Sequence, residues 1–248
     1  MPKNKKILFL SEYSFGKYEG GNNNVYRQAF ALKKINIDVE ILCSSVDGDN
    51  KIIEIDSIKY HLFNNKYTNR ILNKEEWEQA VEYGCEILRM INPEIVHLHH
   101  WKGLYWLIES ANRLNIKSIY TAHDHGMGCL QTVLLTSSDT ICNGNVDNSK
   151  CYSCIRKKRG WKNYPWIILR LIVLPLRKIF NYKIFYKYIK REDLYYTFDD
   201  VFFYTANIKK VLNMLDVIIV PNDFAAVFFR QFIGNNENKI IKLNWFYD

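Results

Sequence analysis

The side chains best suited to chemistry gather in residues 118–129, Ser-Ile-Tyr-Thr-Ala-His-Asp-His-Gly-Met-Gly-Cys. The stretch opens as an apolar, β-branched and aromatic run, then breaks into His123, Asp124, His125 and two glycines. That pattern predicts a buried strand delivering polar groups at its carboxyl end. In an open α/β sheet, ligands bind in the crevice outside the carboxyl ends of the strands, so His123 and Asp124 stand where a ligand is expected. The alternative for His123 is a purely structural one, tying adjacent loops together. A second strand-like run ends His97-Leu98-His99-His100-Trp101. His99 and His100 are candidates for ligand contact, for hydrogen bonds to loop carbonyls or, least favoured, for metal ligation.

Four cysteines follow closely: Cys129, Cys142, Cys151 and Cys154, the last two forming Cys-x-x-Cys within a polar loop spanning 125–155. Four thiolates make a tetrahedral structural zinc site with no open position for substrate. Clustered thiols in a cytosolic protein favour metal over disulfides. Zinc is the first expectation, an iron–sulfur cluster ranks behind it, and four free cysteines is the bland reading. Cys43 and Cys85 lie within apolar patterns and read as packing residues.

The elements that must position these groups alternate between strand and helix. Residues 5–12 are nearly all apolar, as expected of a central parallel strand. They lead into a loop with Gly16, Gly20 and Gly21 and then a helical pattern. Adjacent glycines admit a ligand to the backbone, and a helix N-terminus favours an anion. Residues 38–45 predict a second strand and 52–63 a hairpin or additional strand. Residues 74–91 predict a helix with one buried stripe, stopped by Asn92-Pro93. Residues 94–98 predict a strand, 104–114 a helix and 118–129 the sixth strand. Helical 207–215, strand 216–221, helix 222–232 and strand 239–243 complete the series. The expected fold is α/β, a doubly wound, mostly parallel, Rossmann-like sheet with a basic helical insertion.

The 248 residues suffice for a substantial core, and the formal charge of +8 is unevenly placed. Residues 155–191 hold twelve Lys or Arg and no Asp or Glu, which leaves the other residues at −4. Residues 161–191 read as helical, aromatic and basic. Arg156, Lys157, Lys158, Arg159, Trp161, Trp166, Lys183 and Lys187 suit an anionic membrane surface, with aromatics in the interface and cations toward the headgroups. A solvated helix pair packed on the domain competes with that reading. Nucleic acid is not expected, because no recognised nucleic-acid motif accompanies the charge. The apolar stretch 166–176 carries Arg170 and Pro175 and is too short to span a bilayer, and the amino terminus shows no signal-peptide pattern. The expectation is a cytoplasmic protein, peripheral on the inner face of the membrane.

Taken in order, Gly20-Gly21 before a helix, Asn92-Pro93-Glu94-Ile95-Val96-His97-Leu98-His99-His100, Tyr120-Thr121-Ala122-His123-Asp124 and Leu215-Asp216-Val217-Ile218-Ile219-Val220-Pro221-Asn222 resemble the amino-terminal, acceptor-side half of retaining GT-B glycosyltransferases of family 4. The resemblance implies one Rossmann-like domain over 1–248. It implies transfer of a sugar from a nucleotide-sugar to a glycolipid or polysaccharide acceptor, without a catalytic metal. It casts His123 as the group facing the reacting sugar, and Gly20, Gly21, His99, His100 and Asp124 as substrate contacts. Where the family has a small residue and Glu after the glycine pair, this chain has Asn22-Asn23-Asn24. Residues 243–248 resemble the approach to the family's second domain, so the donor-binding half is expected to be missing. The chain alone is then expected to show negligible turnover. Alternatives are a non-catalytic glycolipid-binding module, a subunit completed by a separately encoded donor domain, or a truncated reading frame.

Overall fold

The computed structural model describes residues 5–12, 21–45, 48–67, 72–130, 134–135, 140–142, 144, 147–158, 198–234 and 236–243, with backbone alone at 21–23, 156–158 and 237. Its centre is the strand β1 (Lys6–Ser11), which pairs in parallel with β2 (Asp38–Ser44) on one side and β5 (Ile95–Leu98) on the other. The sheet runs β3-β4-β2-β1-β5-β6-β7-β8, where β3 is Lys51–Ile55, β4 Ile58–Phe63, β6 Lys117–Thr121, β7 Val217–Val220 and β8 Ile240–Lys242. Every pairing is parallel except β3 with β4. The expected doubly wound, mostly parallel sheet is therefore observed. The order reverses at β1: the chain winds outward through β2 and β4, then returns to β5 and winds the other way.

Both faces of β1 are buried, and they face different cores. Leu8 and Leu10 join the larger cluster with α2 (Lys74–Ile91), α3 (Trp106–Arg113), α5 (Phe198–Met214) and α6 (Asp223–Ile233). Phe9, between them, joins the smaller cluster with Val25 and Ala29 of α1 (Gly21–Lys34). This is the alternation of a strand covered on two sides.

Local chemistry sets the element ends. Asn73 caps α2 in a reciprocal box with Glu76, and Asn92 closes it in the left-handed conformation ahead of Pro93. The uncertain 52–63 region is a hairpin, turning at Asp56 and Ser57, both with positive φ. The Tyr26 hydroxyl donates to Asp56 Oδ2 at 2.6 Å, fixing the turn to α1. Residues 101–105 form turns ahead of α3, so that helix starts later than the 104 expected. Two expectations are corrected. The helix expected over 207–215 begins at Phe198, with Asp199 and Asp200 at its positive end and Val201 and Tyr204 already buried. The loop expected up to residue 155 instead holds α4 (Asn148–Lys158), whose first amides are capped by Asp147. The basic helical expectation over 161–191 lies outside the described residues.

Candidate functional site

A parallel strand at the middle of a sheet is normally apolar on both faces. On the α1 side, β5 breaks that rule. Val96 and Leu98 enter the larger core, while His97 and His99 point to the opposite face beside Phe9. The backbone N–H groups of His99 and His100 both donate to the Leu10 carbonyl, so the histidine-bearing end of β5 is hydrogen-bonded to β1 at the point where the sheet order reverses. One strand over, Thr121 ends β6 and His123 follows it.

These residues form one connected group. His97 Nε2 lies 2.7 Å from Thr121 Oγ1, Ser11 Oγ lies 3.1 Å from His100 Nδ1, and His99 Nδ1 lies 3.3 Å from His123 Nε2. The rings are layered: His97 and His99 are 4.0 Å apart between centroids, and His123 stacks at 5.6 Å on His99 and 5.7 Å on His100. His99 is only 1% exposed, and its Nε2 has no hydrogen-bond partner among the described residues. An orphaned buried nitrogen at a strand end is unusual, since such atoms are nearly always paired.

Burial decides the charge state. Desolvation, followed by the neighbouring imidazoles, pushes His97 down to about 3 and His100 to about 4, and holds His99 well below the ordinary histidine value. Burial also lowers His123, opposed by the Asp124 carboxylate. The group is thus neutral at physiological pH. Neutral imidazoles offer one donor and one acceptor each, which suits hydroxyl groups more than anions.

Asp124, a sequence candidate for substrate contact, is exposed and its Oδ1 accepts the Gly126 N–H at 2.7 Å, shaping the loop. That loop is held firmly. The Tyr204 hydroxyl of α5 donates to the carbonyls of Gly126 and Met127 at 3.2 and 3.4 Å. A side chain at Gly126 would run into the Trp101 indole, with the nearest atom at 2.4 Å. Two participants escaped the sequence reading. His97 was readable as a polar residue in phase with His99, two positions away on the same strand face. Tyr204 gave no such signal, since it belongs to an aromatic run in a helix that starts earlier than its periodicity suggests.

Gly21 opens α1, and Gly20 lies outside the described residues. Arg156, Lys157 and Lys158 sit on the last turn of α4, and Arg159, Trp161, Trp166, Lys183 and Lys187 lie outside the described residues. Cys129, Cys142, Cys151 and Cys154 are half-buried, and none of them is in a disulfide. Burial and then the nearby Cys129, Cys142, Cys154 and Asp147 push the Cys151 thiol up to about 11, so all four thiols share one neighbourhood. Among the described residues, no three His, Cys, Asp or Glu side chains converge tightly enough to hold a metal as placed. Cys43 and Cys85 are buried, Cys43 in β2 and Cys85 in α2. No described helix is long and apolar enough to cross a membrane.

In a Rossmann-like sheet the crevice at the switch point, outside the carboxyl ends of the strands, is where a ligand binds, and the histidine group lies there. Residues 6–136 match the family described as "Glycosyl transferase 4-like", and the chain belongs to that family. Among solved structures, sucrose-phosphate synthase from Thermosynechococcus elongatus is similar at 12% identity and a TM-score of 0.50, covering 96% of this chain and 47% of that one. The catalytic domain of starch synthase IV from Arabidopsis thaliana, bound to ADP and acarbose, gives 11% identity and a TM-score of 0.47, covering 97% and 51%. UDP-N-acetylglucosamine 2-epimerase from Rickettsia bellii gives 11% and 0.44, covering 97% and 44%. At 12% identity the likeness to the sucrose-phosphate synthase speaks to the fold alone. The chain spans about half the length of these structures or less. No curated protein sequence matches it significantly.

Proposed function

We propose that this chain forms the acceptor side of a glycosyltransferase. The glycosyl group of a nucleotide-sugar passes, with retention of anomeric configuration, to a hydroxyl of a membrane glycolipid or polysaccharide acceptor. The observation that carries the reading is the neutral histidine group at the switch point of a glycosyl transferase 4-like sheet. In the transfer, the bond between the anomeric carbon and the diphosphate oxygen breaks, a bond to the acceptor oxygen forms, and the hydroxyl proton passes to the departing diphosphate oxygen. A neutral imidazole can take that hydroxyl as a hydrogen-bond donor and orient it. His123, at the rim, is the candidate to touch the reacting sugar, and His99, buried behind it, is the positioning residue. Catalysis of this kind is mainly alignment and stabilisation of the leaving diphosphate. The second task falls to a nucleotide-sugar-binding partner domain, in the same or a separate polypeptide.

The membrane enters through residues 155–191, whose twelve Lys or Arg are unopposed by any Asp or Glu. Near an anionic leaflet each basic residue contributes about 1 kcal/mol, so a fraction of them suffices for docking. Replacement of His123 by Ala in the complete enzyme is expected to lower turnover by about 10²-fold or more while leaving the melting temperature unchanged. Unaltered turnover would remove His123 from the chemistry.

A further inference from the structure

We propose that Cys129, Cys142, Cys151 and Cys154 bind one zinc ion as a structural tetrathiolate, clamping the loop that follows His123 to the first turns of α4. This inference stands on the cysteines alone and does not depend on the transferase reading.

The fold brings the four positions together from three separate pieces of backbone. Cys129 ends the turn after His125, its N–H donating to the His125 carbonyl at 2.8 Å. Cys142 follows a short antiparallel bridge between Leu135 and Ile141, and its N–H donates to the Leu134 carbonyl at 2.7 Å. Cys151 and Cys154 stand three residues apart near the start of α4, hence on one helix face. Contacts connect the pieces. The Cys154 thiol reaches the Leu135 carbonyl at 3.8 Å, joining α4 to the Leu135–Ile141 bridge ahead of Cys142. The neighbours of the other two cysteines meet on a single ring: a side chain at Gly128 or at Gly144 would strike Phe228, at 2.6 Å in each case. Cys129 and Cys142 both pack against the larger core.

The thiols as placed have not closed onto a common point, and the contacts of Cys154 with Leu135 and of both loop segments with Phe228 are what bring their stretches together. Four half-buried thiols drawn together from separate parts of a loop, in a protein with no disulfide among its six cysteines, have no bond that joins them. Zinc supplies one: it takes four thiolates in a tetrahedron, leaves no open position, and releases their protons on binding. A clamp here would hold the rim of the histidine group through Cys129, six residues beyond His123.

The test uses the full chain, purified without chelator and analysed for metals. About one zinc per chain is expected, with four thiols that react with a thiol reagent quickly only after a strong chelator is added. Cobalt substitution should give the absorption of a tetrahedral tetrathiolate. The Cys151→Ser/Cys154→Ser double variant should lose the zinc, and Cys85→Ala should retain it. His125→Gln should also retain it, although His125 Nε2 is buried and unpaired among the described residues. Protein free of metal with four freely reactive thiols, a bound iron–sulfur chromophore, or loss of zinc in His125→Gln would each overturn the tetrathiolate zinc assignment. Should the double variant fail to fold, the metal content and chelator-dependent reactivity of the unaltered chain decide the question.

Discussion

His97 and His99 are buried and His100 is half-buried, so the charged form of each imidazole loses hydration that the unfolded chain would give it. This has a measurable consequence. Their folded pKa values lie below the ordinary 6.5, at about 3 for His97 and about 4 for His100. As pH falls below about 6.5 the unfolded chain therefore takes up protons first. Stability from these groups is fully present above that pH and is lost as pH falls toward the folded values, by about 1.4 kcal/mol per pH unit for each histidine titrating only in the unfolded state. Urea unfolding between pH 6.5 and 5 should show this slope, and His97→Gln should flatten it. An identical slope in the variant would mean that His97 is not held neutral. At this scale the sequence was partly legible. A run of polar residues breaking an apolar strand located His123, His99 and His100. Which nitrogen meets which, and that Asp124 turns back to serve its own loop, depends on rotamers and chain reversal that spacing does not encode.

Helices and strands were more legible than side chains, because burial periodicity and caps are local. Asn73, Glu76, Asn92 and Pro93 bound α2 within the sequence itself. The start of α5 was not legible, since Phe202, Phe203 and Tyr204 extend an aromatic region whose pattern masks the helical period. What locks α5 to its neighbours is long-range: buried Glu109 of α3 accepts from Trp77 Nε1 of α2 at 2.8 Å, from Arg113 at 2.9 Å and from Lys210 of α5 at 2.8 Å. Burial raises the Glu109 pKa, but the hydrogen bonds from Lys210, Arg113 and Trp77 outweigh it and hold the carboxyl below 4.5. Its contribution is therefore present above pH about 4.5 and is lost as pH falls through the folded value. Glu109→Gln should destabilise the fold by about 1–3 kcal/mol, discounted because Lys210 and Arg113 remain partly exposed. Chemical denaturation at pH 7 checks this, and a change below about 0.5 kcal/mol would show that solvent screens the network.

For the whole molecule, strand order could be anticipated only as a class. Alternating elements imply a doubly wound sheet, and the position of the reversal beside β1 is what brings the histidine-bearing ends of β5 and β6 and Ser11 of β1 into one site. The proposed reading adds two things to that site: acceptor-side glycosyl transfer as its chemistry and, through the basic sequence 155–191, an anionic membrane as its setting. The most direct measurement is transfer of label from radiolabelled nucleotide-sugars into the lipid and polysaccharide fractions of host membranes. The chain would be supplied together with its donor-binding domain, and the anionic lipid content of added vesicles varied. The account predicts incorporation that requires this chain and declines as anionic lipid is diluted out. Incorporation that proceeds equally well without the chain would contradict its role as the acceptor side of the enzyme.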